Sequence, residues 1–278
     1  MTGLQQTLRE TAEFTGVGLH TGAAARVRIH PAPPDSGLTF RLGEGGPHVP
    51  ALAEYVVDTR RATVIGVGDH TLSTVEHLLS ALLALGVDNA AIEADGPEIP
   101  VLDGSAAIFA QTFGTMLEDQ PARRRRFVVE KPVAFADGDA RLIVLPADDF
   151  RVTVCVDFAP PVGAQFFTAG VDAGGYLADV APARTFGYLH EVEALLAAGL
   201  ARGGSLDNAL VFAPEGPLTP LRWPNEVVRH KALDLIGDLA LLGARPQGEF
   251  ISIKSGHRLH AVATRALRAA SPQPAVLG

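Results

Sequence analysis

Apolar residues along this chain of 278 residues fall into short blocks set between glycines and prolines. Runs at 27–30, 38–42, 141–145 and 152–156 alternate, or are short and apolar throughout, and predict strands. Two longer stretches carry the helical period instead. One spans about 74–85 and meets Gly86; the other spans about 226–242 and meets Gly243, a glycine just past the last periodic residue being a helix stop. The helices open on similar tripeptides, Val75-Glu-His77 and Val228-Arg-His230, and each is followed by a turn and a strand, at 90–94 and 250–254. This pattern predicts an α+β chain made of two units of similar topology, each a sheet with packed helices. The best boundary is 120–126, where Pro121 is followed by four arginines, so the expected units are 1–122 and 127–270. Such a charge run reads as a solvated linker, or else as an attractor of phosphate.

Composition narrows the function more than the fold. Hydrophobic residues make up 47% and charged residues 19%, as in an ordinary globular chain. A formal net charge of −8 argues against wrapping a polyanion, so no nucleic-acid partner is expected. The single cysteine, Cys155, leaves no disulfide within the chain and no thiolate cluster, so any metal must be held by His, Asp or Glu. Residues 1–11 are polar and form no signal core, and no apolar run reaches the roughly 20 residues a membrane-spanning helix needs. A cytoplasmic location follows by default.

The second helical stretch holds the first candidate chemistry. His230, Asp234 and Asp238 are spaced i, i+4, i+8 and share one stripe of the helix. Two aspartates four apart repel, and aspartate is a poor mid-helix residue. A divalent cation on His230 and Asp234 would compensate; so would an ion pair from Lys231 to Asp234 on a plain surface stripe. At the first helix, Ser73 and Glu76 have the spacing of a capping box, which would make Glu76 purely structural. Adjacent helical residues point about 100° apart, so Glu76 and His77 reach one centre only if it lies beside the first turn. Then His77, His230 and Asp234 would form the three-ligand set of a catalytic zinc site, with Glu76 as general base. His257 follows a glycine, which allows close backbone approach, and is a candidate acid that Asp238 could orient; a loop histidine without a role fits equally. Thr185 offers a hydroxyl at a turn.

Seven segments, in order, resemble the UDP-3-O-acyl-N-acetylglucosamine deacetylases of Gram-negative bacteria. They are Gly16-Val-Gly-Leu-His-Thr-Gly22, Ser73-Thr-Val-Glu-His-Leu78, Pro97-Glu-Ile-Pro-Val-Leu-Asp-Gly-Ser105, Ala183-Arg-Thr-Phe-Gly187, Gly203-Gly-Ser-Leu-Asp-Asn208, Val228-Arg-His-Lys-Ala-Leu-Asp-Leu-Ile-Gly-Asp238 and Ser255-Gly-His257. The resemblance spans about residues 4–267. It implies a zinc-dependent hydrolase that removes the N-acetyl group from an acylated UDP-sugar in lipid A synthesis. His77, His230 and Asp234 match the zinc ligands, Glu76 the base, and His257 the acid, with Asp238 as its partner. Thr185 matches the group that stabilises the oxyanion. Lys231, Lys254 and His20 match residues near substrate polar groups, some near the diphosphate; Phe186 and Glu191 match substrate contacts. The implied fold places the active site between two similar α+β domains, with an insert at about 188–210 forming an apolar passage for the acyl chain. Leu195, Leu196 and Leu200 are its candidate lining, unless they simply form a helix's core face.

Departures are peripheral. Some relatives have histidine where this chain has Asp58, and often phenylalanine where it has Tyr188. The dehydratase domain fused to some relatives is not expected after Gly278. A monomer is expected. Imidazole and carboxylate ligands also suit iron(II) in place of zinc. Two rivals use the same residues: a zinc amidase acting on another N-acyl sugar, and a non-catalytic metal- or lipid-binding module. The joint presence of Glu76, His257 and Thr185 argues against the second, which needs the ligands alone.

Overall fold

The computed structural model describes residues 3–270 and the backbone of 275–276. Met1, Thr2 and Gly278, which bound the expected first unit and the expected chain end, lie outside the described residues. The chain is α+β. One sheet has the order Ala12–Val17, Ala24–Pro31, Ala90–Asp95, Leu38–Leu42, His48–Pro50. In it Ala90–Asp95 runs antiparallel to Ala24–Pro31 and parallel to Leu38–Leu42. In a second sheet Arg245–Ile253 holds the matching place, antiparallel to Ala140–Leu145 and parallel to Phe150–Asp157. Val133–Asp137 and Ala164–Gly170 extend that sheet on its two sides. Each central strand is the one that follows a long helix and its glycine, so the repeat in the sequence reappears in the strand pairing.

Among the described residues the α-helices are α1 (Glu76–Leu85), α2 (Ala107–Gly114), α3 (Ala173–Asp179), α4 (Leu189–Ala197), α5 (Glu226–Ala240) and α6 (His257–Ala270). Every residue of α1 is buried. A helix that is apolar all round belongs inside a core, and fully burying leucines such as Leu78, Leu79 and Leu82 stabilises by about 2 kcal/mol each. It ends at Gly86, whose φ of 83° turns the backbone so that its N–H meets the carbonyls of Leu82 and Leu83. α5 lies beside α1 and runs the same way: Gly237 sits against Glu76, and Arg245, just past α5, bonds the carbonyl of Leu83. The first turns of α5, carrying His230 and Asp234, therefore project past the start of α1.

Three expectations need correction. The capping box does not form: Ser73 Oγ lies 3.3 Å from Thr74 Oγ1, while the Glu76 carboxylate accepts the N–H of Thr63 at 3.0 Å. The Thr74 backbone, at φ 60°, turns the chain before α1 begins. Nor is 120–126 a solvated linker. Leu117–Arg123 pairs with Leu4–Leu8, and Arg125–Val128 pairs with Arg245–Ile253. Between them Arg124 is 4% exposed, donating to Asp88 Oδ2 at 2.9 Å and to the Gly86 carbonyl at 2.7 Å. Its charge is matched by the aspartate and by the carbonyl end of α1. Thirdly, Leu195, Leu196 and Leu200 do not make a core face: α4 has no buried residue, and Leu196 is 47% exposed. Leu195 and Leu200 instead line an open groove with Ala194, Arg61 and Glu191.

Candidate metal centre and catalytic cavity

The overhang of α5 beyond α1 encloses a cavity of about 250 Å³. Because the first turn of α1 faces it, Glu76 and His77 both line it despite their divergent directions. His77 Nε2 lies 3.8 Å from Asp234 Oδ1, and His230 Nε2 lies 3.4 Å from the same oxygen. The two rings meet edge to face, with centroids 4.9 Å apart. His230 donates its Nδ1–H to the carbonyl of Ala183 at 3.0 Å, which leaves the Nε2 lone pair facing the cluster. Burial keeps both rings neutral: it pushes His77 down to about 3, with His230 adding to the effect, and it lowers His230 as well. Burial opposes ionisation of Asp234, but Lys231 and then the histidines hold its carboxyl well below the usual range.

This donor set fits zinc. Bonds of about 2.0–2.1 Å in a tetrahedron put ligand atoms roughly 3.3 Å apart, close to what the three side chains present. The ligand atoms of His77, His230 and Asp234 all lie within 4.8 Å of one another. The bland alternative holds at the same time, since Lys231 Nζ is 2.6 Å from Asp234 Oδ2. Asp234 thus turns one oxygen to the lysine and the other to the histidines.

Glu76 and His257 face each other across the same space, with His257 Nε2 3.7 Å from Glu76 Oε1 and 4.0 Å from Asp234 Oδ2. Desolvation pushes the Glu76 carboxyl up to about 8, although His257 pulls the other way. A cation held alongside would favour the ionised carboxylate. Burial disfavours the His257 cation, but Asp238 and then Glu76 outweigh it and raise the imidazole to about 9. His257 Nδ1 donates to Asp238 Oδ2 at 2.8 Å, the pairing that the resemblance implied. Against the desolvation, His257 and His260 hold Asp238 down at about 2. One carboxyl and one imidazole in a single cavity, both raised well above their ordinary values, suit proton transfer. Gly256 does not serve a close approach: a side chain there would meet nothing within 4 Å.

The remaining candidates divide. Thr185, Phe186, Glu191, Lys231 and His20 all line the cavity. Phe186 stands edge-on to His230 at 6.2 Å, and Glu191 reaches Arg61 at 3.5 Å. Lys254 does not join them. The strand ends at Ile253, and the exposed Lys254 pairs with Asp157 at 2.6 Å, outside the cavity lining.

Sequence reading missed several supports. Glu98 is buried and accepts from the backbone of His20 at 3.0 Å, from Thr21 at 2.9 Å and from the Thr74 hydroxyl at 2.8 Å. It pins the glycine-rich loop at 16–22 to the start of α1. Gly18 is required there, as a Cβ would stand 2.3 Å from Glu98 Oε2. Thr63 bonds both Glu76, through its N–H, and Asp238 Oδ1, through its hydroxyl at 2.5 Å. His260 was legible only as the i+3 neighbour of His257 on one helix face.

Comparison with known proteins agrees with this geometry. The LpxC family model, UDP-3-O-acyl N-acetylglycosamine deacetylase, matches residues 5–269. A UDP-3-O-acyl-N-acetylglucosamine deacetylase of Syntrophotalea carbinolica is 45% identical over 264 residues, covering 92% of this chain and 85% of the relative. Relatives of the same name from an Anaeromyxobacter species and from Phenylobacterium zucineum are 46% and 44% identical, covering 94% and 95% of this chain and 87% and 93% of their own lengths.

Proposed function

The chain belongs to the UDP-3-O-acyl N-acetylglycosamine deacetylase family, and from that premise we propose how its own residues carry out the reaction. The substrate is UDP-3-O-(3-hydroxyacyl)-N-acetylglucosamine, and the products are acetate and the free amine, the committed step of lipid A biosynthesis. The observation that carries this reading is the meeting of His77, His230 and Asp234 with Glu76 and His257 in one buried cavity.

Held by His77, His230 and Asp234, a zinc ion would polarise the acetamide carbonyl and acidify a water. Iron(II) suits the same ligands. Glu76, fixed by the Thr63 N–H, takes the proton of the attacking water. Thr185, on the cavity wall, donates to the oxyanion that develops on the carbonyl oxygen; a lost donor of this kind costs about 2.7–4 kcal/mol. His257, protonated and aligned by Asp238, hands its Nε2 proton to the departing amine. Phe186 walls the site beside His230, and Lys231 and His20 offer donors to the polar part of the substrate. The groove at Leu195 and Leu200, which adjoins the cavity through Arg61 and Glu191, takes the acyl chain.

We read the chain as two units, up to about 122 and from about 127, with 188–210 as the insert; the matching strand pairing in the two sheets supports this. Among the described residues no helix is long and apolar enough to cross a membrane. A monomer working in the cytoplasm is the form proposed.

The test is acetate release from the acylated UDP-sugar by purified protein, with metal content measured on the same sample. Loss of release on chelation and its return with one equivalent of zinc is the expected result. A folded, zinc-loaded sample that releases no acetate from this substrate, yet does so from another N-acyl sugar, would overturn the substrate assignment.

A further inference from the structure

Two histidines share one carboxylate oxygen. His257 Nδ1 and His260 Nδ1 each lie 2.8 Å from Asp238 Oδ2. They stand three residues apart on α6, with ring centroids 6.3 Å apart and planes at 83°. Only His257 lines the cavity. His260 is 1% exposed and turns its other nitrogen away, with Nε2 2.8 Å from Ser255 Oγ, itself 2.6 Å from Ser252 Oγ. As Nδ1 donates to the carboxylate, the Ser255 hydroxyl donates to Nε2, and this fixes the tautomer. Burial favours the same neutral ring.

Asp238 is therefore gripped at both oxygens from two separate segments. Thr63 Oγ1 donates to Oδ1 at 2.5 Å, and His260 donates to Oδ2. Without His260, Oδ2 would keep His257 alone, and Thr63, 2.5 Å from Oδ1 and 3.2 Å from His257 Nδ1, would be the one remaining anchor outside α6; the carboxylate plane would then have more freedom to turn about the Cβ–Cγ bond with the His257 ring. We propose that His260 is a positioning residue for the reaction, locking the Asp238 carboxylate so that Oδ2 holds His257 with Nε2 aimed into the cavity. It acts through Asp238 and touches no reacting atom. The proposal rests on the reading of His257 as the proton donor.

The experiment compares His260→Leu, which deletes the N–H, with His260→Asn, whose amide nitrogen takes roughly the place of Nδ1. His257→Ala is the reference. Acetate release is measured on the zinc-loaded proteins, and the downfield imidazole N–H proton resonances are recorded on the metal-free ones. His260→Leu is expected to lower kcat by about tenfold or more with KM little changed, as losses of orienting partners do. Its zinc content stays at the wild-type level, and the His257 Nδ1–H resonance moves or broadens away. His260→Asn restores most of kcat and the resonance. Wild-type kcat in His260→Leu, alongside an inactive His257→Ala, overturns the proposal. So does an equal loss in the leucine and asparagine variants with the resonance unmoved, since that marks a packing role alone. Full activity in His257→Ala instead overturns the reading of His257 itself. If the leucine variant does not fold, Ser255→Ala carries the test: it frees the tautomer while keeping the ring, and an unchanged kcat and spectrum there overturn the proposal.

Discussion

Gly237 and Glu76 touch through their backbones: a Cβ on Gly237 would stand 2.1 Å from the carbonyl oxygen of Glu76 and 2.7 Å from its carbonyl carbon. A close approach of α5 to α1 thus falls at the residue proposed as base. Gly237→Ala should improve helix propensity by about 1 kcal/mol yet overpack the crossing by about 1–3 kcal/mol. The expected outcome is a net loss of stability in denaturant melts, together with a fall in kcat as Glu76 is pushed aside. A variant more stable than the parent, with unchanged kcat, would contradict the close contact.

Glu76→Ala is expected to reduce turnover by about 10²–10⁴-fold, the range that general bases supply. Zinc content should be unaffected, because the proposed ligand atoms belong to His77, His230 and Asp234. Measured turnover near the wild-type level would remove Glu76 from the role of base.

Asp234→Ala acts on the other half of the site. It removes the oxygen that lies 3.4 Å from His230 and 3.8 Å from His77, and it strips Lys231 of its partner at 2.6 Å. Metal analysis of the purified variant should find zinc strongly depleted. A full equivalent of bound zinc would take Asp234 out of the ligand set.

The metal-free protein should lose stability as pH rises. His257 is raised from its ordinary 6.5 to about 9, burial being outweighed by Asp238 and Glu76. The folded state holds that proton more tightly, so its contribution is complete below about 6.5 and is lost as pH climbs through about 9. Glu76, raised by desolvation to about 8, works in the same sense. The Tm should therefore fall between pH 6.5 and 9, and less steeply in Asp238→Asn, which no longer supports the imidazolium. A Tm that is flat or rising over this interval in the wild type would be inconsistent with the raised pKa values.

Part of the candidate site was legible because three of its residues share one helix, while its assembly from distant segments was suggested by the resemblance. The stripe of His230, Asp234 and Asp238 needs only the helical repeat, and α5 presents it intact. α1 ends at the expected Gly86, whereas α5 stops at Ala240 with Leu241 as its cap, short of Gly243. Features set by partners distant in the chain were not legible. Arg124 looks like one of four solvent-seeking arginines until Leu117–Arg123 pairs with Leu4–Leu8 and delivers it to Asp88. Ser73 and Glu76 have capping spacing, but the backbone N–H of Thr63 competes successfully for the carboxylate. Lys254 follows a strand whose last residue is Ile253, and its own φ of 51° sends the chain round the corner, leaving the side chain with Asp157. Thr63 shows no motif and His260 only its i+3 spacing from His257; their contacts arise where α5, α6 and the segment just before strand Val64–Val67 converge on Asp238.

The unburied helix α4 has a consequence for how this chain can change over generations. A segment that adds nothing to the core can be rewritten at little cost, since surface substitutions shift stability by about 0.5 kcal/mol or less. Most of the side chains proposed for the chemistry hang instead from α1 and α5, where almost every position is buried, and from the buried face of α6. On the roles proposed above, the part that measures the lipid and the part that cuts the amide are thus free to evolve at different speeds. If the groove beside α4 takes the acyl chain as proposed, a lineage can retune the chain length it accepts without putting its chemistry at risk.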